Sequence, residues 1–317
     1  MNNSIKSHHP VLVGSIFVFI GAIGFSSKAV LVKLAYQYGV DVETLFALRM
    51  LFSAPFFICL TLWINRENGT QAATLTLKDW FSLVMLGFCG VYLAGWLDFA
   101  GLTYVSAGLE RTVLFLYPTM VILISAVLFK QGITKRELFA LLASYVGIGL
   151  AVGHDIRISP LGVHATLIGA TFVFLSALVY AIYLVFNGRI IQRIGTARFT
   201  AYTMLAGCSF SMLHFVLTHP FMSLQQPVEV YGLSFLMAVI ATVLPALLLN
   251  SGIRRLGSSK ASLVSSVGPV STILLAYLFL DETMSELQIL GTILVMIGVL
   301  AISLQGFKWR RSISGEG

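Results

Sequence analysis

Charge is scarce in this sequence: only 10% of its 317 residues are Asp, Glu, Lys or Arg, while 57% are hydrophobic and the mean hydropathy is +0.91. Soluble domains carry about 25% charged residues, so water is excluded as the main surroundings, and no stretch is polar enough to form a soluble domain of useful size. Cysteine is scarcer still. Cys59, Cys89 and Cys208 fall inside apolar runs without CxxC or metal-ligand spacing. That excludes a disulfide framework and a thiolate metal site, and reads as small packing residues. No Walker loop, GxGxxG, HExxH or GxSxG is present, so the chain reads as a non-enzyme without cofactor or metal, and ATP-driven movement would need another subunit. A basic-aromatic module is missing too, so the net charge of +7 does not point to nucleic acid. No small-x-small cleavage site follows the polar first ten residues, and the apolar run after Pro10 is expected to be a retained first helix. The Asn68-Gly69-Thr70 sequon is expected in a cytoplasmic loop and is discarded.

What the chain has in abundance is long apolar runs. Ten are expected, at 11–35, 44–64, 80–102, 107–129, 136–154, 162–187, 198–218, 231–251, 260–280 and 286–305. A helix needs roughly 20 residues to cross about 30 Å of hydrocarbon, and it satisfies its own backbone there. The last five runs repeat the first five. Pro118 and Pro269 match at an offset of about 151 residues, and on that alignment Gly101 meets Gly252 and Gly147 meets Gly298. Upstream, Lys33 meets Arg189 and Gly39 meets Gly195. The expected fold is therefore an all-α membrane protein of ten transmembrane helices, built as two inverted-topology five-helix repeats, 11–154 and 162–305. An odd number of spans per copy brings the second copy in from the opposite side.

The basic residues support that inversion. About 15 of the 20 Lys and Arg fall on one side, among them Lys135, Arg136, Arg193, Arg254 and Lys308, which places both termini in the cytoplasm by the positive-inside rule. Equivalent loops carry opposite charge: Lys130-Gln131-Gly132-Ile133-Thr134-Lys135-Arg136 in the first copy, Asp281-Glu282-Thr283-Met284-Ser285-Glu286 in the second. The positive charge thus reports orientation and contact with anionic headgroups.

Ionisable residues within spans are costly and mark candidate pathways. Lys28 lies about 25 Å along the first helix at 1.5 Å per residue, so it is expected to approach the outer surface. Arg49 is expected about one turn inside the outer end of the second helix, Asp98 near that of the third, and Glu110 and Arg111 at the start of the fourth. Their second-copy counterparts are Leu184, Leu205, Leu249, Ala261 and Ser262, so the charges are an addition to the repeated frame. Three cations and two anions could receive a zwitterion, or pair with each other when the site is empty; the plainer reading has Arg49 and Lys28 reaching to headgroups. Tyr92 and Trp96, four apart, share a face with Phe99 and would suit an aromatic wall beside Asp98. Tyr117, Tyr180, Tyr183, Asn187 and Asn250 could also line a cavity, whereas His214 reads as packing. Pro118 and Pro269 each remove a helix hydrogen bond, so a kink is expected at equivalent points of both copies. Gly149-x-x-x-Gly153, Gly291 and Gly298 are expected at close helix contacts.

The two repeats, Arg49, the stretches Ser106–Pro118 and Ser258–Pro269, and Asp281-Glu282-Thr283-Met284-Ser285 followed by Gly291 and Gly298 resemble the EamA-type drug/metabolite transporters, over residues 11–305. Lys130-Gln131 departs from that pattern, where an acidic residue is frequent. The resemblance implies a ten-helix carrier in a bacterial cytoplasmic (inner) membrane, with a cavity between the repeats. Such carriers commonly export amino acids or other small metabolites by alternating access, driven by protons or by diffusion. The expected partners are a small-molecule substrate, the lipid bilayer and protons, with the protein a monomer or weak homodimer. Efflux of a hydrophobic drug or organic cation is the alternative within transport. A non-transporting membrane sensor or assembly subunit is the alternative of another class.

Overall fold

The computed structural model describes the backbone at residues 5–68, 75–130, 132–158, 161–256, 261, 264, 265 and 267–313. Side chains are described from Leu12 to Ala301, apart from those of residues 67, 68, 157, 158, 189 and 250. Gly69-Thr70, Gln131, Ser258, Lys260 and Ser262 lie outside the described residues.

Among the described residues the regular structure is entirely helical. In chain order the helices are α1 (Ile5–Tyr36), α2 (Val42–Asn68), α3 (Leu77–Leu102), α4 in two halves (Ala107–Leu114 and Tyr117–Phe129), α5 (Lys135–Ile158), α6 (Gly162–Ile194), α7 (Thr196–Thr218), α8 (Val228–Leu256), α9 (Gly268–Leu280) and α10 (Glu286–Ile313). From α1 to α8, eight runs are long and apolar enough to cross a membrane, while Gly268–Leu280 and Glu286–Ala301 are shorter apolar helices. Several helices overrun the apolar runs that announce them. Helix α6 continues through Asn187–Arg193 until Gly195, which takes φ +83°. Hydropathy marks only the part suited to lipid, whereas the backbone ladder runs on until a residue breaks it. Helix α1 likewise starts at Ile5, upstream of Pro10 rather than after it; as the sixth residue, Pro10 withholds one hydrogen bond from the ladder without ending it. A Thr76–Asp79 capping box starts α3, and Asp79 also pairs with Arg193 at 2.6 Å.

The two halves match in backbone detail. Within α3 and α8, π-helical turns at Phe88–Leu93 and Val239–Val243 occupy equivalent places, which hydropathy does not foretell. Gly39 and Gly195 both have positive φ. Helix pairing is preserved when the halves are exchanged: α1 packs on α8 and α9 as α6 packs on α3 and α4, and α2 pairs with α7 as α5 pairs with α10. Each copy therefore lends its first helix to the other, and residues 11–154 and 162–305 share one core.

Lipid is as apolar as leucine, so helix contacts rely on close approach. A Cβ on Gly147 would lie 2.5 Å from the Gly291 carbonyl oxygen, and one on Gly252 would lie 3.0 Å from that of Gly14. Gly298 approaches Ala140 in the mirror place. The expectation for Gly149 and Gly153 is overturned, since a Cβ there would meet nothing within 4 Å. Two positions along a helix turn the side chain by about 200°, which carries Gly149 away from the seam that Gly147 occupies. Outward faces are apolar, as at Leu62, Val127, Leu217 and Phe279. Polar groups gather inside. Lys33, Thr103 and Glu282 mark the upper end of the bundle; Asp79, Arg193 and Lys135 mark the lower end.

Candidate functional site

Helices α1, α3 and the first half of α4 bring three charges together. Lys28 Nζ lies 2.5 Å from Asp98 Oδ2 and 3.3 Å from Glu110 Oε1. Lys28 is 6% exposed, Asp98 2% and Glu110 0%, so Lys28 turns into the bundle and not to headgroups. Two carboxylates hold the ammonium inward. Arg111 follows Glu110 on α4; its Nη2 donates to Ser26 Oγ at 3.1 Å, and its guanidinium lies over the Phe25 ring at 5.2 Å. Arg49 stands two turns, not one, into α2, because that helix starts at Val42. Its Nε donates to Thr242 Oγ1 at 3.1 Å, in the π turn of α8, and its guanidinium faces Phe99 at 5.2 Å and Phe46 at 5.8 Å. All five expected charges are thus buried in the interior of the bundle.

The cluster is asymmetric in charge. Three cations meet two carboxylates, leaving one positive charge in excess when both acids are ionised. By hydrogen-bond geometry Asp98 Oδ1, both Glu110 carboxylate oxygens and Arg111 Nε are unsatisfied, although Glu110 Oε1 shares the ion pair with Lys28 and the two carboxyls stand against each other. Buried groups left this way are costly, so the interior offers both acceptors and a donor to something further. Among the described counterparts, Ala261 is buried and Leu249 packs near Gly21; Ser262 lies outside the described residues.

The prolines do more than kink their helices. The chain leaves the α4 helix at Phe115–Leu116, with Leu116 N bonding Val113 O at 3.1 Å, and Pro118 opens the second half. In the second copy Val267 N bonds Val264 O at 3.4 Å before Pro269 opens α9. A proline in the first turn lacks only a donor that would be orphaned anyway, so a full break is less costly than a bent continuous helix. Arg111 sits at the second break, where a Cβ on Gly268 would lie 2.9 Å from Nη2.

Tyr92 and Trp96 do share a face, but it packs on His214, at 5.8 and 5.7 Å between ring centroids. Trp96 Nε1 donates to Glu43 Oε1 at 3.1 Å, and Tyr92 stands behind Phe46 at 6.4 Å. The rings over the cluster cations are instead Phe25, Phe46, Phe99 and Phe115. On the lower side Tyr117, Tyr180 and Tyr183 form a ladder with centroid spacings of 5.2 and 5.6 Å, beginning within electrostatic reach of Arg111.

Above the cluster lies a cavity of about 260 Å³ lined by Lys33, Ser106, Asp155, Glu282, Met284 and Gln288, among others. Asp155 accepts from Ser106 Oγ at 3.1 Å and from the Gln288 amide. Glu282 accepts from Ala107 N at 2.9 Å and lies 3.9 Å from Lys33 Nζ. Burial pushes the Glu282 carboxyl above its ordinary range, and Lys33 opposes that shift. Asp155, Gln288 and Thr242 were not singled out in the sequence. A polar residue at the end of an apolar run is ordinary, and nothing local marks these three as meeting partners from distant helices.

A multi-pass bundle with apolar outer faces, whose charged groups converge on helix breaks inside, defines a membrane transporter. Residues 12–153 and 167–304 match the EamA-like transporter family, and the chain belongs to it. It is 33% identical to the uncharacterized transporter YcbK of Bacillus subtilis over 309 residues, covering 96% of this chain and 95% of that relative. It is 25% identical to the uncharacterized inner membrane transporter YicL of Salmonella typhimurium, covering 94% and 98% of the two chains. A solved crystal structure aligns with TM-score 0.62 at 17% identity, over 93% of this chain and 98% of that one, which is a likeness of fold alone.

Proposed function

We propose that the chain is a ten-span inverted-repeat carrier that exports amino acids or similar small zwitterions across the bacterial inner membrane by alternating access. Both termini are cytoplasmic in this reading, and the upper end faces outward. The observation that carries it is the buried cluster itself: charges absent from the second copy, one cation in excess when both acids are ionised, and carboxylate oxygens short of hydrogen bonds. Arg49 and Arg111 receive the substrate carboxylate, while Asp98, Glu110 and Lys28 exchange partners around its ammonium. The breaks at Pro118 and Pro269 are the points where the half-helices reorient. A proton shared between Asp98 and Glu110 would fill their empty hydrogen-bonding positions, which makes this pair the coupling site.

The test is purified protein in liposomes challenged with amino acids, nucleobases and organic cations. Saturable counterflow of an amino acid supports the reading; transport of organic cations alone, or no flux of any probe, overturns it.

A further inference from the structure

We propose that the upper cavity is a second substrate site, an exit vestibule that holds the head of a zwitterionic amino acid, its carboxylate on Lys33 and its ammonium on Asp155 and Glu282. This rests on the reading of the chain as a carrier of such zwitterions.

Four separate segments supply the polar groups: α1 gives Lys33, the start of α4 gives Ser106, α5 gives Asp155, and the α9–α10 connection with the first turn of α10 gives Glu282 and Gln288. At about 260 Å³ the cavity lies just under the roughly 300–1,000 Å³ range of small-molecule pockets, which suits a small ligand and excludes a bulky drug. Its charges are arranged by depth. Asp155 is 5% exposed, whereas the Lys33 and Glu282 side chains are 25% and 22% exposed, so the ammonium end of a ligand is drawn inward and its carboxylate stays near the mouth. The Lys33–Glu282 separation of 3.9 Å is too long for a hydrogen bond, and both groups keep capacity for another partner. Asp155 has one donor on each oxygen, leaving further lone pairs.

Met284 lines the cavity and packs on Gly108, where a Cβ would lie 3.0 Å from its methyl carbon. Glu282 holds Ala107 N at the start of the same half-helix that carries Glu110 and Arg111 one turn on. Occupancy of the vestibule therefore acts on the segment that presents the inner charges.

The experiment places a single cysteine at Thr283, an exposed lining residue, in a variant whose Cys59, Cys89 and Cys208 are replaced by alanine, reconstituted in liposomes. Labelling by an impermeant maleimide is timed with L-alanine, L-threonine or L-phenylalanine, and with acetate or ethylammonium as half-ligands. Counterflow of the same amino acids is measured alongside. The expected result is at least threefold slower labelling with an amino acid, no protection by either half-ligand, and loss of protection in both Lys33→Gln and Asp155→Asn. Lys33→Gln, at a partly exposed position, keeps the test valid should Asp155→Asn misfold. Amino acids that are transported but do not protect would sink the vestibule and leave the carrier reading intact. Protection that survives both variants would trace to the inner cluster and sink it equally. Protection without transport would uphold the site while overturning the proposed function, and neither transport nor protection would overturn both.

Discussion

Lys130 and Asp281, 151 residues apart, end equivalent helices in the left-handed region, at φ 51° and 53°. A side chain there costs roughly 1–2 kcal/mol, and the same unfavourable backbone at both places ties the two halves together more firmly than their weak identity does. The residues carry opposite charge, and so do the loops after them. Those loops are therefore predicted to lie on opposite sides of the membrane. Single cysteines at Lys135 and Glu286, both exposed, should label differently in intact cells with an impermeant reagent, Glu286→Cys reacting and Lys135→Cys staying protected until the cells are opened. Equal labelling would sink the inverted arrangement.

Arg49 is predicted to serve transport and not insertion. Its counterpart Leu205 indicates that the frame needs no charge there, and its one described hydrogen bond goes to Thr242, which keeps Met237 O as acceptor when Arg49 is removed. Arg49→Leu should insert normally, as judged by size-exclusion profile, yet lose at least tenfold in initial counterflow rate, equivalent to about 1.4 kcal/mol. Wild-type flux in the variant would remove Arg49 from the pathway.

The helix seam gives a sharper structural test. Gly147→Leu drives its Cβ into the Gly291 carbonyl, while the Cβ of Gly149→Leu meets nothing within 4 Å. Overpacking of this kind costs about 1–3 kcal/mol, so the first variant should melt several degrees below wild type in detergent and the second within about a degree. Similar melting of the two would mean that α5 and α10 do not meet along this face.

Much of this architecture could be read from the chain because the membrane makes charge costly. Lys28, Arg49, Asp98, Glu110 and Arg111 stand out in apolar runs, and all are buried inside the bundle. That Lys28 pairs with Asp98 and Glu110, while Arg49 and Arg111 take Thr242 and Ser26, is not fixed by sequence, since a cation near a helix end can equally turn to headgroups. What stayed hidden depends on rotation about a helix axis. Gly149 and Gly147 differ by two positions and so by opposite faces, and Trp96 turns away from Asp98 for the same reason. The π turns at Phe88–Leu93 and Val239–Val243 have no shared residue pattern; only their equivalent placement reveals them. Asp155 and Gln288 lie 133 residues apart, and neither has a local neighbour that would announce the other.

The last prediction separates the roles of the two buried acids. Asp98 holds Lys28 at 2.5 Å with hydrogen-bond geometry, whereas Glu110 lies 3.3 Å away without it. Removing one partner of a buried ion pair costs about 3–5 kcal/mol, and that loss should fall on Asp98→Asn. Glu110→Gln leaves the Lys28–Asp98 pair in place and should melt closer to wild type. If the two carboxylates carry the exchanged proton, a pH gradient across liposomes should drive uphill amino-acid movement in the wild-type protein. Glu110→Gln should then abolish the response to the gradient while counterflow persists at a reduced rate, because Asp98 still receives the substrate ammonium. Asp98→Asn should do the same with less folded protein to measure. Gradient-driven accumulation that persists in the double Asp98→Asn, Glu110→Gln variant would eliminate the pair as the coupling site and leave it a structural clamp on Lys28.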